Sequence, residues 1–208
     1  MTEPKPRHRS ATAGVRLEEI KAAATKHFFR NGYAGTDLRM IAKDLDMHAG
    51  SLYNYIESKQ ELLYLILLDG MTDIHSGLDR ALDGVVGPRE RLKAAILFHF
   101  LHHALRRHIS WTNHVEVRAL TGKYREEIMA MRKDYEAKWV ALVEAGMQSE
   151  DFRPLDAKTT AFGILSMAQG ISRWFNPSGH LSANDMAVLY ADLLMHGLCN
   201  DSRMPDIP

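Results

Sequence analysis

Apolar residues recur three and four positions apart along almost the whole chain, and no segment alternates strictly over a strand length between turn signals. That period puts apolar side chains on one face of an α-helix, so the sequence calls for an all-α protein of about nine helices. From Val15 to Arg30 the residues Leu17, Ile20, Ala24 and Phe28 form one stripe, and Asn31-Gly32 follow as a stop signal because both tolerate a left-handed cap. A second helix is expected from Asp37 to Leu45, capped by Thr36 and carrying Leu38, Ile41 and Leu45 inward. A very short third runs from about Ala49 to Tyr55. A long fourth opens at Ser58, with Glu61 completing a capping box, and continues to Leu82. After Gly84 and Gly87-Pro88, helices are expected from Pro88 to about His108, Trp111 to Leu120, Lys123 to Gln148, Asp156 to Phe175 and Ala183 to Cys199.

A chain of 208 residues buries a sizeable core without staples, and Cys199, its single cysteine, cannot form an intrachain bridge. The opening MTEPKPRHRSATAG is polar and basic, with no apolar run of signal-peptide or membrane-span length, so a cytoplasmic chain with no membrane partner is expected. Equal numbers of basic and acidic residues, 26 each, argue against a protein coated in positive charge. The distribution is uneven, however. Up to residue 30, Lys5, Arg7, Arg9, Arg16, Lys21, Lys26 and Arg30 face only Glu3, Glu18 and Glu19, an excess that suits an anionic partner.

The stretch HAGSLYNYIESKQELL, residues 48–63, is too polar to be ordinary core. Two short helices joined by a tight turn, Asp37 to Leu45 and Ala49 to Tyr55, have the dimensions of a helix-turn-helix whose second helix enters the major groove of DNA. Leu52 and Ile56, four apart, anchor the short helix inward and leave Ala49, Ser51, Tyr53, Asn54 and Tyr55 on the other faces. Small residues at its start permit close approach to bases. The hydroxyls of Tyr53 and Tyr55 can donate to phosphate oxygens, and Lys59, beside the exposed amides of the fourth helix, adds charge to the same anion site.

The segment GYAGTDLRMIAKDLDMHAGSLYNYIESKQELL resembles the N-terminal domain of TetR-family transcriptional repressors, through Tyr33 after Gly32, Thr36, Ile41-Ala42, Gly50-x-Leu52-Tyr53, Tyr55 and Ser58-Lys59 with Glu61-Leu62. The resemblance implies that Thr36, Tyr53, Tyr55 and Lys59 hold phosphates, while Arg39, Ala49, Gly50 and Ser51 face bases. Arg39 is the expected guanine reader, because its fork pairs with both acceptors of that base. Two positions depart from the family pattern: Asp46 stands where glycine is common in the turn, and His48 stands at a cap often occupied by Ser or Thr. Asp accepts left-handed geometry better than most residues; histidine caps poorly and is free to meet DNA instead. The family organisation implies a flexible basic arm over residues 1–14, a helix-turn-helix domain over 15–62, a ligand-binding and dimerisation domain over 63–200 and a tail over 201–208. A dimer reading a palindromic operator in double-stranded DNA would hold half-sites about 34 Å apart or a multiple of that.

Past residue 64 the motif resemblance stops and the residues speak for themselves. The helix RERLKAAILFHFLHHALRRH carries His99, His102, His103 and His108, with His114 close behind. His99 and His103, one turn apart, could share a zinc ion, but no Glu sits between them as in HExxH; histidines lining a cavity wall are the alternative. Leu97, Phe98, Leu101, Trp111, Met129, Phe162, Leu165, Met167 and Trp174 can line a pocket or fill a core, and the methionines Met129, Met131 and Met167 suit a cavity of adaptable shape. Arg106, Arg107, Arg118 and Arg173 offer either partners for an anionic head group or a solvated row.

The segment GISRWFNPSGHLS, with the histidine-rich helix, is similar to TetR regulators that respond to acyl-CoA thioesters. That similarity implies an amphiphilic small-molecule effector, with ligand contacts assigned to Phe98, His102, Trp111, Met129, Phe162, Met167, Arg173 and Trp174. A regulator of drug efflux sensing an uncharged hydrophobic compound is the alternative. The last two helices show broad apolar faces through Ala161, Gly163, Ile164, Ala168, Gly170, Val188, Leu189, Leu193 and Leu194, suited to a four-helix interface of a homodimer. An enzyme, in the form of a metal-dependent hydrolase built on His99 and His103, is the rival class; it lacks a carboxylate at ligand spacing, a Gly-rich loop and a Gly-x-Ser-x-Gly turn. No catalytic residue, metal or cofactor is assigned.

Overall fold

The computed structural model describes residues 11–199, and the side chains of 14–199. The tail over 201–208, and all but the last four residues of the basic arm over 1–14, lie outside the described residues. Among the described residues there are nine α-helices, one 3-10 turn and no strand: α1 Ala11–Asn31, α2 Leu38–Asp44, α3 Ala49–Leu52, α4 Lys59–Leu82, α5 Pro88–Leu105, α6 Arg107–Glu116, α7 Gly122–Gln148, α8 Ala157–Trp174 and α9 Ala183–Leu198. None of these helices is long and apolar enough to cross a membrane.

The stripe on α1 folds as its spacing requires. Ile20, Ala24 and Phe28 are fully enclosed, and α1 packs on α2, α4 and α6. The helix stops at Asn31 because Gly32 turns left-handed, with φ of 72°. Further along, α5 lies against α4, α7, α8 and α9, so the histidine-rich helix is the central element of the larger helical body. Its interior is continuous: Leu92, Ile96, Phe100, Trp139 and Val143 have no exposed surface. Cys199 is buried in this region, where its backbone forms an antiparallel bridge with Phe152.

Several local expectations change. Asp37, not Thr36, caps α2, its carboxylate accepting the Arg39 amide at 2.8 Å. Thr36 is 2% exposed and its hydroxyl donates instead to the Gly32 carbonyl at 2.8 Å, tying the loop back onto the end of α1. Ser58 caps α4 by accepting the Glu61 amide at 3.0 Å, but the Glu61 carboxylate reaches the Glu57 amide rather than that of Ser58, so the box is displaced by one residue. The helix expected to run to His108 breaks at Arg106, with φ of −110° and ψ of 35°, and α6 starts there rather than at Trp111. No Gly or Pro marks that break. It coincides with a tertiary contact, in which Asp73 on α4 accepts from Arg106 Nε at 3.0 Å.

Candidate functional site

The helix-turn-helix is formed by α2, a turn over residues 45–48, and α3. Asp46 takes the left-handed conformation at φ of 50°, and the turn closes through Asp46 N–H to the Lys43 carbonyl at 3.2 Å and Met47 N–H to the Ala42 carbonyl at 2.9 Å. His48 has the extended backbone of a cap residue but makes no side-chain capping bond, leaving its ring exposed. α3 is only four residues long, shorter than expected. The amides of Tyr53 and Asn54 tighten onto the Gly50 and Ser51 carbonyls at 3.3 and 3.2 Å, an i to i+3 pattern that ends the α-helix before Tyr55. Leu52 and Ile56 anchor it inward as their spacing required, at 0% and 2% exposure.

Arg39 and Gly50 are exposed, and Ala49 and Ser51 half-buried. A Cβ built on Gly50 meets nothing within 4 Å, so the chain itself sets no limit on how near another molecule can come there. Tyr53 is exposed, whereas Tyr55 is half-buried against the core. A cleft between the loop after α1 and the start of α4 gathers Thr36, Tyr53 and Lys59; Tyr55 is not part of it. Lys59 Nζ stands 4.2 Å from the centroid of the Tyr33 ring. Partial burial lowers the proton affinity of this ammonium, while the carboxylates of Asp37 and Glu116 act in the opposite direction.

In the body, five helices enclose a cavity of about 300 Å³. Gly70, Met71 and Ile74 of α4 form one wall, His99, His102 and His103 of α5 another, and Asn113, Arg132, Tyr135 and Gln169 come from α6, α7 and α8. Gly70 is there of necessity: a Cβ would overlap the Asn113 side-chain amide. The Tyr135 hydroxyl lies 3.0 Å from His99 Nδ1, and Arg132 donates to the Asn113 carbonyl at 2.9 Å. Burial holds His99 well below the ordinary histidine range, aided by the neighbouring rings of His103 and His102. It likewise pushes His102 down to about 4 and His103 to about 3, so all three rings are neutral near pH 7. His102 Nε2 is 3.6 Å from Asp73, too far for a hydrogen bond.

Of the ligand contacts expected from the sequence, His102 and Phe162 line this cavity, and Phe98, Trp111, Met129, Met167, Arg173 and Trp174 do not. Phe98 stacks behind His102 with ring centroids 5.6 Å apart and fills the space over Gly77. Met129, Met167 and Trp174 are exposed, at 41%, 39% and 56%. Arg173 lies over the Trp111 ring at 5.9 Å, one helical turn beyond the cavity residue Gln169. The lining residues that sequence reasoning did not assign include Asn113, Arg132, Tyr135 and Gln169. Polar residues inside otherwise core-facing helical stripes were the only signal for them. Of the two readings of the histidines, the cavity wall describes His99, His102, His103 and His114. Among the described residues no group of three or more His, Cys, Asp or Glu is placed to hold a metal ion.

A helix-turn-helix joined through a long helix to a cavity-bearing helical body is the architecture of a DNA-binding transcriptional regulator. Residues 20–64 match the family model for bacterial regulatory proteins of the tetR family, and residues 86–198 match that for the tetracyclin repressor-like C-terminal domain; the chain belongs to the TetR family of transcriptional regulators. It is 26% identical over 193 residues to the HTH-type transcriptional repressor KstR2 of Mycolicibacterium smegmatis, covering 91% of this chain and 93% of that protein. A tetR-family regulatory protein from Rhodococcus RHA1 superposes with a TM-score of 0.83 at 28% identity, over 92% of this chain and all of that one. AibR, solved in complex with isovaleryl coenzyme A and operator DNA, superposes at 0.77 with 30% identity, over 86% of this chain and 98% of its own. These are regulators and not enzymes, which removes the hydrolase reading.

Proposed function

We propose that the chain is a cytoplasmic homodimeric repressor that grips a palindromic operator and is released by an amphiphilic effector of the acyl-CoA thioester class. In this reading residues 15–62 form the reading head and residues 63–200 the effector-binding and dimerising body. The observation that carries it is the path of α4, whose first residue, Lys59, stands in the cleft beside Tyr53, while Gly70, Met71 and Ile74 further along wall the cavity. A single rigid helix therefore reports the state of the cavity to the head. An effector that fits only one tilt of α4 moves the two heads of a dimer out of register with successive major grooves.

On DNA, Tyr53 and Lys59 hold phosphates, with Tyr55 bracing them from its half-buried position. Thr36 has its hydroxyl proton committed to the Gly32 carbonyl and its amide to the Tyr33 carbonyl, so it shapes the cleft rather than donating to a phosphate. Arg39, Ala49, Gly50 and Ser51 meet the base edges. For the effector, the acyl group occupies the cavity, and the phosphate-bearing part lies outside against Arg173, Trp111 and Trp174, one turn beyond Gln169. The presence of isovaleryl coenzyme A in AibR supports this ligand class. Dimerisation has support in the exposed apolar side chains of α9, Val188, Leu189 and Leu193 at 50–59%. Ala161, Ile164 and Ala168, by contrast, are already buried within one chain.

The test is a gel shift with DNA from upstream of the protein's own gene. The expected result is a salt-sensitive complex on a palindrome that dissociates when an acyl-CoA is added. Release by an uncharged hydrophobic drug, with calorimetry finding no heat of binding for any acyl-CoA, would overturn the effector class.

A further inference from the structure

The cavity wall contains polar atoms that nothing among the described residues satisfies. His99 Nε2, both ring nitrogens of His102, His103 Nδ1 and Asn113 Oδ1 are buried without a hydrogen-bond partner, in residues exposed by only 2%, 8%, 5% and 8%. All four residues line the same cavity. Unpaired buried polar atoms are costly and therefore rare in folded proteins, and five around one cavity point to an occupant that pairs with some of them.

The chemistry of that occupant follows from the partners these residues do have. The Tyr135 phenol, kept protonated by burial, needs an acceptor for its proton, and His99 Nδ1 stands 3.0 Å away. With Nδ1 accepting, the ring of His99 carries its own proton on Nε2 and presents a donor. Asn113 Oδ1 is an acceptor, since its Nδ2 donates to the Ile109 carbonyl at 3.2 Å. The wall thus offers a donor and an acceptor, in an environment that keeps the imidazoles neutral. The one guanidinium in the lining, Arg132, already donates to the Asn113 carbonyl and has Glu136 as its electrostatic counterweight. A second carboxylate there would meet Glu136, so a neutral oxygen suits the site better than an anion.

We propose that the cavity end of the effector carries a hydroxyl on a compact carbon skeleton, which accepts from His99 Nε2–H and donates to Asn113 Oδ1. This rests on the thioester reading above and refines it, from an apolar acyl chain to an oxygenated one. His99 and Asn113 become specificity-determining contacts, and Tyr135 a positioning residue that fixes the His99 tautomer. A plain alkyl group of equal size would fill the same volume while leaving these atoms unpaired.

Isothermal titration calorimetry of the full chain with hexanoyl-CoA and 5-hydroxyhexanoyl-CoA tests it. The expected result is tighter binding of the hydroxy compound by about tenfold or more, with the preference reduced to about twofold in His99→Phe. Tyr135→Phe should lower the preference part-way, and circular dichroism checks that each variant folds. Should His99→Phe fail to fold, Asn113→Leu reads the same preference. Equal affinities in the unsubstituted protein would overturn the oxygenated-end proposal and leave the thioester class standing. A preference that survives both His99→Phe and Asn113→Leu would overturn it too, by locating the selecting contact elsewhere. Failure of both thioesters to bind would overturn the effector class itself.

Discussion

Lys59 Nζ sits 4.2 Å from the centroid of the Tyr33 ring, so the first residue of α4 is held against the loop that ends α1. The contact restrains a long, otherwise mobile cation beside Tyr53 at the edge of the helix-turn-helix. Lys59→Met is expected to weaken binding to operator and random DNA alike and to lower the slope of log K against log salt by about one. Tyr33→Leu, which keeps the charge and loses the aromatic face, should cost only about 0.5–1 kcal/mol of affinity. Fluorescence anisotropy across a salt series reads both; an unchanged slope for Lys59→Met would remove this residue from the DNA surface.

Arg39, exposed in the first turn of α2, and Tyr53, exposed at the end of α3, should respond differently to substitution. Arg39→Ala relaxes preference at one base pair, losing about 1–3 kcal/mol of discrimination there. Tyr53→Phe lowers affinity for every sequence without changing the preferred one. Selection from a randomised operator library distinguishes the two, and identical sequence preferences for Arg39→Ala and the parent protein would exclude base reading by that side chain.

At Gly70, α4 comes so close to α6 that an added Cβ would overlap the Asn113 side-chain amide and press on Ile109. Gly70→Ala forces those helices apart next to the cavity. The expected destabilisation is about 1–3 kcal/mol in urea unfolding, together with weaker effector binding. A stable variant with unchanged ligand affinity would show that α4 moves freely over α6.

The buried histidines make stability sensitive to acid. His102 and His103, with folded-state values of about 4 and about 3, and His99, also well depressed, stay neutral where an unfolded chain accepts protons near its ordinary value of 6.5. Above that value neither state is charged and the rings contribute nothing to the pH dependence. As pH falls from 6.5 toward 4 the unfolded state takes up protons that the folded state refuses, so stability drops, by up to about 1.4 kcal/mol per ring for each pH unit. Thermal unfolding midpoints should therefore fall between pH 7 and pH 5, and less steeply in His103→Phe. A flat profile would mean that the folded cavity accepts the protons.

Leu189 and Leu193, four residues apart on α9 and 55% and 59% exposed, test the proposed dimer. Leu189→Lys with Leu193→Lys should yield monomers in sedimentation experiments and lose operator binding, while the helical circular dichroism remains. A parent protein that sediments as a monomer at micromolar concentration would remove this surface from any interface.

The helices and the DNA-reading head were legible in the sequence because their causes are local. Leu17, Ile20, Ala24 and Phe28 repeat at the helical period, Gly32 supplies a positive φ, and Asp46 tolerates one in the turn. A helix-turn-helix is a contiguous segment in which most local roles are set by neighbours a few positions away, so its helices and turn could be read directly, whereas the burial of Thr36 and the half-burial of Tyr55 could not.

The cavity was legible only in outline, as histidines on a wall. Whether a side chain on an apolar stripe meets another side chain or an empty space depends on what five separate helices place opposite it, and no single helix records that. Phe98, Trp111 and Met129 carry the same periodic signal as Ile74 and Leu165, yet only the latter two reach the cavity. The break at Arg106 has the same origin, since it accompanies an ion pair with Asp73, 33 positions earlier, rather than a Gly or Pro. Sequence by itself determined most of the helices and the helix-turn-helix, because backbone dihedrals and side-chain period are short-range properties. Tertiary structure alone decided which buried polar atoms were left without partners, because hydrogen-bond satisfaction depends on the whole neighbourhood in three dimensions.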